Sequence, residues 1–303
     1  MAAPLNLFDN QRALELWFQT PDKATSTNAD DRNSYEVYSE DFTIEVDMSC
    51  NIIECWRKAS IKIYNLNHDL RNKLISSFNP WTARKRERPY CRLMVKIGRR
   101  GVSTPLHTIF TGVITKADQT MPPDICVMLE AETSYEYLVK SLAYAPMTGR
   151  TTAKQALQRA ASLMGLTLRY EAQDGLVINN YLEAPDMRSV PMLMMAYFPQ
   201  KLQCFTDGTT LWALTPGVPL KGAVYELNSS TGMLEQPRMT EWGVYVKALA
   251  DIPVNLADSF NLTSSLVPVS NGNWTIYKID YRLQSRGNDW FANLYASPPA
   301  LRP

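Results

Sequence analysis

Apolar and polar residues alternate with a period of two along most of the chain after residue 35. In residues 42–48, apolar side chains are separated by Thr43, Glu45 and Asp47, so one strand face is apolar and the other polar. The same alternation recurs in residues 59–63, 91–97, 109–115 and 125–131. This period predicts half-buried β-strands. About five such strands within one region indicate a small antiparallel barrel or sandwich.

One short helix interrupts these predicted strands. Asn67 is a favourable N-cap residue, and the carboxylate of Asp69 suits the positive end of a helix dipole. Apolar residues then recur at helical spacing as far as Phe78. The dipeptide Asn79-Pro80 predicts the end of this helix.

The pattern changes to a helical period near residue 150. Thr152 and Gln155 have the spacing of a capping box. An apolar stripe with a helical period follows, at Ala153, Ala156, Leu157, Ala160, Ala161 and Met164. Gly165 predicts the C-terminal cap. We therefore expect a helix that packs closely in the core through its small side chains.

Two further segments complete this middle region. Residues 202–205 and 211–214 flank Asp207-Gly208, a pattern that predicts a tight hairpin. The methionine-rich segment 190–198 is compatible with a helix or with a buried strand. Its methionines would suit an adaptable binding face, but we expect them in the core.

A period of two returns in the last third of the chain, in residues 223–227, 242–246, 260–262, 274–281 and 290–296. Gly232 and Gly112 are expected at strand bulges or close backbone approaches. Asn271-Gly272 predicts a hairpin turn with positive φ. These segments read as a second set of strands.

The predicted fold class is therefore α+β and predominantly β, with two small antiparallel β-barrel modules flanking a small α+β module. We place a first β module at residues 35–145, a mixed module at 146–222 and a second β module at 223–297. An N-terminal arm (1–34) precedes them and a C-terminal tail (298–303) follows. The arm is expected either to clamp a neighbouring subunit or to pack across its own domain. No strict sequence repeat relates the two β modules.

Composition narrows the functional classes. The 303 residues include 31 Lys and Arg against 30 Asp and Glu, for a net charge of +1, and 45% are hydrophobic. Such a chain can bury a core, whereas its charge is too small for a DNA-binding footprint. No apolar run approaches the ~18 residues of a membrane-spanning helix. The N-terminus does not have the pattern of a secretory signal.

Candidate chemistry is sparse. The cysteines are Cys50, Cys55, Cys91, Cys126 and Cys204, with no CxxC pair, and we expect buried thiols in a reducing compartment. His68 and His107 lie outside any recognisable nucleophile or metal-binding motif, so both are read as surface or capping residues. We therefore expect no catalytic, cofactor-binding or metal-binding residues, and no cofactor.

Charged clusters leave two alternatives open. The pairs Asp30–Asp31, Glu40–Asp41 and Glu130–Glu132 are expected to be solvated, although a glycosidase-like carboxylate pair depends on tertiary distances. The basic cluster Arg84–Arg88 is read as a solvated or subunit-contact loop, with an acidic partner surface as the functional variant.

Five segments, in order, resemble the baseplate hub proteins of contractile-tailed bacteriophages, the late control protein D and tail-hub group. They are residues 59–66 leading into 70–74; 109–115 (with Phe110, Gly112 and Ile114) followed by 124–132; 152–157 through 164–166; 232–237 continuing into 240–244; and 271–276 ending in 286–290. Each motif is weak alone, but their order over residues 35–296 is specific.

The resemblance implies a structural, non-enzymatic protein of the virion tail baseplate, assembled in the host bacterial cytoplasm. Two tube-like modules per chain would let a homotrimer form a six-fold-like ring between the hexameric tail tube and the three-fold spike. Implied partners are the tube or tube-initiator protein, the spike, the tape-measure protein and baseplate wedge proteins, with DNA only in transit and no membrane. Because the chain ends at Pro303, the spike is expected to be a separate chain.

The near-neutral charge then fits a conduit, because a channel wall that neutralised phosphates would retain DNA. We expect channel-facing side chains to be neutral or acidic, and Arg84–Arg88 to point away from the lumen. One alternative is a hub-like protein of a tailocin or other contractile injection system. The other is a β-rich carbohydrate-active enzyme with a carboxylate pair.

Overall fold

The computed structural model describes residues 12–24, 32–39, 41–85, 90–100, 105–139, 144–147, 149–179, 182–220 and 222–299. None of the helices in these ranges is long and apolar enough to cross a membrane.

The strands of the first β module begin inside the region predicted as an arm. They are β1 (Arg12–Gln19), β2 (Tyr35–Tyr38), β3 (Ile44–Asn51), β4 (Lys58–Tyr64), β5 (Arg92–Arg99), β6 (His107–Gln119) and β7 (Cys126–Glu132). Helices α1 (His68–Phe78) and α2 (Pro80–Lys85) separate β4 from β5, and α3 (Glu136–Val139) follows β7. Strand β1 pairs with β2 and β5, so this part of the arm packs across its own module.

The predicted first helix is confirmed as α1. The side chain of Asn67 accepts a hydrogen bond from the backbone N–H of Asp69 at 2.9 Å, and Leu74 and Phe78 are buried. The helix ends at Asn79, as predicted. Pro80 then begins α2, which the sequence did not predict, because proline is tolerated in the first turn of a helix.

The mixed module combines short strands with two helices. Its elements are β8 (Tyr144–Met147), β9 (Thr151–Thr152), α4 (Ala153–Leu163), β10 (Thr167–Glu171), β11 (Val177–Ile178), β12 (Leu182–Ala184), α5 (Ser189–Tyr197), β13 (Gln203–Thr206) and β14 (Thr210–Leu214). The capping box of α4 is confirmed, since Thr152 and Gln155 exchange both hydrogen bonds. The hairpin β13–β14 is also confirmed.

The methionine-rich segment folds as helix α5. Met194 is fully buried, in agreement with the expected core role, while Met192 is 46% exposed, so that expectation is wrong for this residue. The alternative of a buried strand is wrong for the whole segment.

The second β module contains β15 (Tyr225–Leu227), β16 (Arg238–Thr240), β17 (Gly243–Leu249), β18 (Ser259–Leu262), β19 (Gly272–Gln284) and β20 (Trp290–Ser297). Strands β18 and β19 form the antiparallel hairpin predicted around Asn271-Gly272, but these two residues do not make the turn alone. Gly272 has φ +133, but Asn271 has φ −67 and closes a short 3-10 turn. The connection from β18 to β19 is instead a loop, ordered by a hydrogen bond that the backbone N–H of Ser264 donates to Asn271 Oδ1 at 2.7 Å.

The two β modules have the same topology, although no sequence repeat relates them. Strands β3 to β7 follow one another along the chain and pair in the order β3-β4-β7-β6-β5, while β16 to β20 pair in the order β16-β17-β20-β19-β18. Every one of these pairings is antiparallel. The long strands β6 and β19 each contain 13 residues. Each also has one register shift against its β7 or β20 partner.

The predominantly antiparallel α+β fold class is confirmed, in the form of one continuous sheet. Beyond its register shift, β19 leaves β18 and pairs with β3 of the first module. Strands β16 and β2 lie at the two ends of the main path and do not pair with each other in the described part of the chain. The ladder is therefore an open path through both modules, rather than two separately closed barrels.

Two hydrophobic cores follow from this arrangement. One extends through both β modules and includes Phe18, Ile61, Leu129, Phe260 and Leu294, all fully buried. The other lies in the mixed module around the small-residue stripe of α4 and also receives Cys55 and Trp56 from the β3–β4 turn. One hydrophobic core and one sheet extend through both β modules, so these contacts do not mark where a module begins or ends. The module boundaries proposed from the sequence therefore stay a prediction.

Gly112 is a site of close backbone approach, as expected. A Cβ atom there would lie 2.9 Å from the backbone of Glu132 and 2.7 Å from the ring of Phe110. Gly232 instead lies in a turn with φ +121, just before the isolated bridge between Met233 and Ala248.

Candidate assembly interface

The two β modules meet through a junction between β19 and β3. The pairing runs from Lys278 opposite Asn51 to Gln284 opposite Glu45. On the face of the sheet opposite the hydrophobic core, the guanidinium of Arg282 lies 3.3 Å from the carboxylate of Asp47. The contact therefore combines a continuous hydrogen-bonded ladder with an ion pair across it.

A buried ion pair reinforces this junction away from the ladder. Arg99, at the end of β5, donates to the carboxylate of Asp251 in the second module, with side chains 8% and 6% exposed. His107, at the start of β6, lies near the same carboxylate. Burial lowers the pKa of His107, and the charge of Asp251 opposes that shift.

The mixed module is tied to the same region of the sheet. The backbone N–H of Thr206 donates to the carbonyl of Cys55 at 3.0 Å. Arg188 is paired with Glu132 at the end of β7, and its guanidinium lies 4.8 Å from the ring centroid of Trp56. Gly208, at the tip of the β13–β14 hairpin, packs against Thr111 of β6, where a Cβ atom would lie 2.7 Å from the carbonyl oxygen.

Among the residues that the structure describes, the second half of β6 and strand β16 each have a strand partner on one side only, as do β2 and β15. After Ile114, whose backbone N–H still donates to the carbonyl of Cys91, β6 leaves β5 and continues to Gln119 with β7 as its only strand partner, while helix α1 packs against β6. At the other end, β16 pairs with β17 alone, and all three of its residues are exposed. Unpaired strand edges are templates for pairing with another chain.

Exposed apolar side chains lie beside the β16 edge. Met239 and Trp242, on the β16–β17 hairpin, are 47% and 48% exposed, and Leu266 and Val269 are more than 70% exposed. The loop that carries the latter two is held near this edge by a 2.7 Å hydrogen bond from Ser264 to Gln236. This end of the second module is therefore an apolar patch next to an open strand.

The face of the ladder opposite the core is polar across both modules. Its basic side chains are Lys58, Lys62, Lys116, Lys247, Lys278 and Arg282. An equal number of acidic side chains accompany them: Glu45, Asp47, Asp118, Glu130, Glu132 and Asp280. We call this surface the polar face. On β3, β4, β6, β7, β17, β19 and β20 these charges balance, while β16 adds Arg238 and β5 adds Arg92 and Lys96 on the same side of the ladder.

The histidines and cysteines singled out in the sequence do not gather at one site. His68 begins α1 and is largely exposed, whereas His107 begins β6. All five cysteines are buried and unbridged, as predicted, and burial raises the pKa of Cys55 and Cys91 to about 12. Within the described ranges, no three His, Cys, Asp or Glu side chains gather as they would around a metal ion.

Two of the carboxylates singled out in the sequence, Glu130 and Glu132, line one cleft of about 330 Å³ together with Asp47 and Lys58. Glu130 and Glu132 lie on the polar face and are paired with Lys116 and Arg188, respectively. Asp30, Asp31 and Glu40 lie outside the described residues, as do the side chains of Arg84–Arg88, so the predicted direction of that basic loop stays a prediction.

One cleft contains carboxylates that the sequence did not indicate. It has a volume of about 330 Å³ between the three modules, and Arg57, Asp207, Trp212 and Asp258 line it. Burial raises the pKa of Asp258. Burial also opposes ionisation of Asp207, but hydrogen bonds from Thr209, Trp212 and Thr210 lower its pKa below the usual range. In the sequence, Asp207-Gly208 predicted a turn and no functional site. Asp258 lies in no motif that would have indicated one.

Comparison with known proteins identifies relatives of the whole chain. The model of the family described as "Baseplate hub gp41" matches residues 22–296. Among curated proteins, no sequence matches this chain significantly.

Solved structures of similar fold come from phage tails. The 43 kDa tail protein of prophage MuSo2 from Shewanella oneidensis has a TM-score of 0.59 at 8% identity, covering 94% of this chain and 98% of that one. A tail protein from Neisseria meningitidis MC58 has a TM-score of 0.60 at 9% identity, covering 95% of this chain and 98% of the other.

A structure from Francisella has a similar fold as well. The Francisella PdpA–VgrG complex contains a chain with a TM-score of 0.59 at 8% identity, in which the match covers 97% of this chain and 59% of that one. At such low identities the likeness establishes the fold alone.

Proposed function

This chain belongs to the baseplate hub gp41 family, and from that premise we propose that it assembles as a homotrimeric hub, a structural component without a catalytic role. Three chains supply six β modules, which matches a hexameric tail tube on one side and a three-fold spike on the other. The ring would enclose the path of DNA and the tape-measure protein. Baseplate wedge proteins would contact its outer surface in the virion.

The observation that carries this proposal is the β19–β3 junction between two modules of identical topology. Inside the chain, the edge of one module's long strand meets the edge of the other module's first strand. The corresponding free edges are β6 and β16. If the same contact joins neighbouring chains, β6 of one chain pairs with β16 of the next. A head-to-tail contact of this kind closes into a ring when its rotation permits.

The internal pairings give the register of that contact. In the first module, Met48, Ala59, Ala131 and Ile114 lie opposite one another in successive strands. In the second module, Met239, Val244, Ala296 and Ile276 occupy the same places. Met239 is therefore the counterpart of Met48, and Ile114 that of Ile276.

At the existing junction, Met48 lies opposite Tyr281, five residues after Ile276. Five residues after Ile114 is Gln119, so Gln119 of one chain is expected opposite Met239 of its neighbour. Burial supports the correspondence. Met48 lies in a strand with partners on both sides and is 3% exposed, whereas Met239 lies in a strand with a partner on one side and is 47% exposed. Pairing would cover Met239 in the same way.

Cysteine cross-linking tests the ring and its register together. A chain with Gln119→Cys and Met239→Cys should form intermolecular disulfides on mild oxidation, because directly opposed Cβ atoms in a sheet are only ~4.5–5.5 Å apart. We expect covalent species up to the trimer on a non-reducing gel. The five native cysteines are buried and should not contribute.

The matched control moves one cysteine along the same strand. In the inferred register, Lys116 lies opposite Trp242, so Lys116→Cys with Met239→Cys places the thiols ~10 Å apart and should cross-link poorly. Native mass spectrometry of the unmodified chain gives the oligomeric state independently. A trimer without the Gln119–Met239 cross-link would reject this register, and a chain that stays monomeric with the tube and spike proteins present would reject the hub.

A catalytic role has less support. Asp207 in the central cleft accepts hydrogen bonds from Thr209, Thr210 and Trp212, which hold a turn together. These bonds favour the ionised carboxylate and so do not suit a general acid. Asp258 accepts one from the backbone N–H of Asn255 at 2.8 Å. Incubation with bacterial cell-wall glycans should therefore release no products.

A tailocin or another contractile injection system is the second candidate setting, favoured by the fold shared with the VgrG chain. The same trimer would serve either particle. Cryo-electron microscopy of particles that contain this chain distinguishes the settings by the presence or absence of a DNA-filled capsid. In both cases we expect the chain on the tail axis.

A further inference from the structure

We propose that the polar face forms the wall of the channel, and that neighbouring carboxylates on it neutralise lysine and arginine side chains so that passing duplex DNA is not retained. This inference rests on the proposed hub function. It concerns how the ring handles DNA, and not whether the ring forms.

Geometry selects the polar face as the inner one. The shared hydrophobic core lies against the opposite face of the ladder, and α1 contributes the buried side chains of Leu74 and Phe78 to it. When sheets join edge to edge into a ring, the covering layers need the larger circumference outside. The uncovered face therefore turns inward, and its charges meet whatever passes through.

Lys62 and Lys116 on this face have close carboxylate partners. Lys62 Nζ lies 3.4 Å from Glu45, its opposite residue in the β3–β4 pairing. Lys116 Nζ lies 2.5 Å from Asp118 and 3.7 Å from Glu130. These contacts raise the pKa of both lysines, so the neutralisation comes from pairing and not from loss of the proton.

The same arrangement continues across the module junction and into the second module. Lys278 Nζ lies 2.8 Å from Asp280, whose other oxygen accepts a 2.7 Å hydrogen bond from Ser49 of β3. Lys247 Nζ lies 2.8 Å from Glu235, next to the polar face, and 4.2 Å from the ring centroid of Phe291. Each of these lysines is thus compensated by a carboxylate of its own strand or of an adjacent segment.

Charge pairing matters because phosphate binding depends on available cations. Each phosphate that a protein neutralises releases counterions and adds salt-dependent affinity. Lysines held against carboxylates carry no net field for a duplex to follow, yet they keep the wall hydrated. Removing carboxylates should expose this hidden affinity.

The test compares two double variants with the same change in net charge. Glu45→Gln with Asp47→Asn removes the partners of Lys62 and Arg282 on the polar face. Asp22→Asn with Glu36→Gln removes the partners of Lys73 and Lys23, which lie on another surface at 2.5 and 2.8 Å. Binding of each full-length chain to a labelled linear DNA duplex is followed by fluorescence anisotropy at low and physiological salt.

We expect the polar-face variant to bind duplex DNA about tenfold more tightly than the unmodified chain at low salt, with a steeper salt dependence. The control variant should stay within about twofold of the unmodified chain, as expected of exposed charges away from the DNA path. If the polar-face variant does not fold, Asp280→Asn, which frees Lys278, replaces it.

Two results would overturn the inference. One is equal DNA binding by the polar-face and control variants. The other is tight binding by the unmodified chain that Lys62→Gln with Arg282→Gln abolishes. Neither affects the proposed hub, which depends on the cross-linking and mass measurements.

Discussion

At the scale of single residues, Arg99 and Asp251 connect the two β modules in a place from which water is excluded. Each side chain is less than a tenth exposed, so water solvates neither charge, and each charge is compensated by the other. Removing one member of a buried pair costs about 3–5 kcal/mol, because the remaining charge stays buried without compensation.

Asp251→Asn should therefore lower the free energy of unfolding by about 3 kcal/mol, measured by urea denaturation at neutral pH. It should also lower the pKa of His107 further, since the carboxylate of Asp251 opposes the effect of burial there. The control is Asp174→Asn in the exposed pair with Lys154, expected to cost less than about 1 kcal/mol. Equal effects of the two substitutions would contradict this role for Asp251.

At the scale of elements, the β13–β14 hairpin depends on one ionised side chain. Asp207 accepts from the backbone N–H groups of Thr209 and Thr210, at 2.9 and 2.7 Å, and from the indole of Trp212 at 3.1 Å. Burial raises the pKa of this carboxyl, but the hydrogen bonds together bring it below the usual range. Folding is thereby linked to the ionised form.

The sign of the pH dependence follows from that depressed pKa. The carboxylate stabilises the fold fully above its unfolded pKa of about 4, and this contribution is lost as the pH falls through the lower folded value. We expect Asp207→Asn to destabilise the protein at pH 7 and to differ little from the unmodified chain at acidic pH. Urea midpoints across pH 3–7 provide the measurement, and a pH-independent difference would contradict it.

Local signals predicted the elements well where the contacts that define them are close in sequence. The capping box of Thr152 and Gln155 and the N-cap of Asn67 satisfy backbone groups within three residues, so the sequence alone located both helix starts. Asn271-Gly272 does not form the β18–β19 turn by itself, because the connection also includes Ser264, seven residues earlier, whose backbone N–H donates a hydrogen bond to the asparagine side chain.

At the scale of the whole molecule, we expect the two β modules to unfold together. They share a hydrophobic core and the β19–β3 pairing, where Ile279 lies between Leu294 of β20 and Cys50 of β3. A loss of packing in the second module should therefore be transmitted to the first.

Leu294→Ala should destabilise both β modules together. The side chain is fully buried, and its truncation is expected to cost about 2–5 kcal/mol. Hydrogen exchange should show loss of protection in β4 of the first module as well as in β20. Retained protection in β4, beside a loosened β20, would indicate that the modules unfold separately.

The sequence by itself determined the strand-rich class, the starts of helices α1 and α4 and the burial of the cysteines. Through the order of its motifs it also indicated the family. Each depends on residue type and short spacing, which a linear pattern contains. Only the tertiary structure decided that Arg12–Gln19 joins the first module, that Asp251 pairs with Arg99, and that the two β modules repeat one topology. These relations join residues far apart in the chain through ladders that many different side chains can occupy. The duplicated topology, and the two open edges it leaves, therefore became visible only in three dimensions.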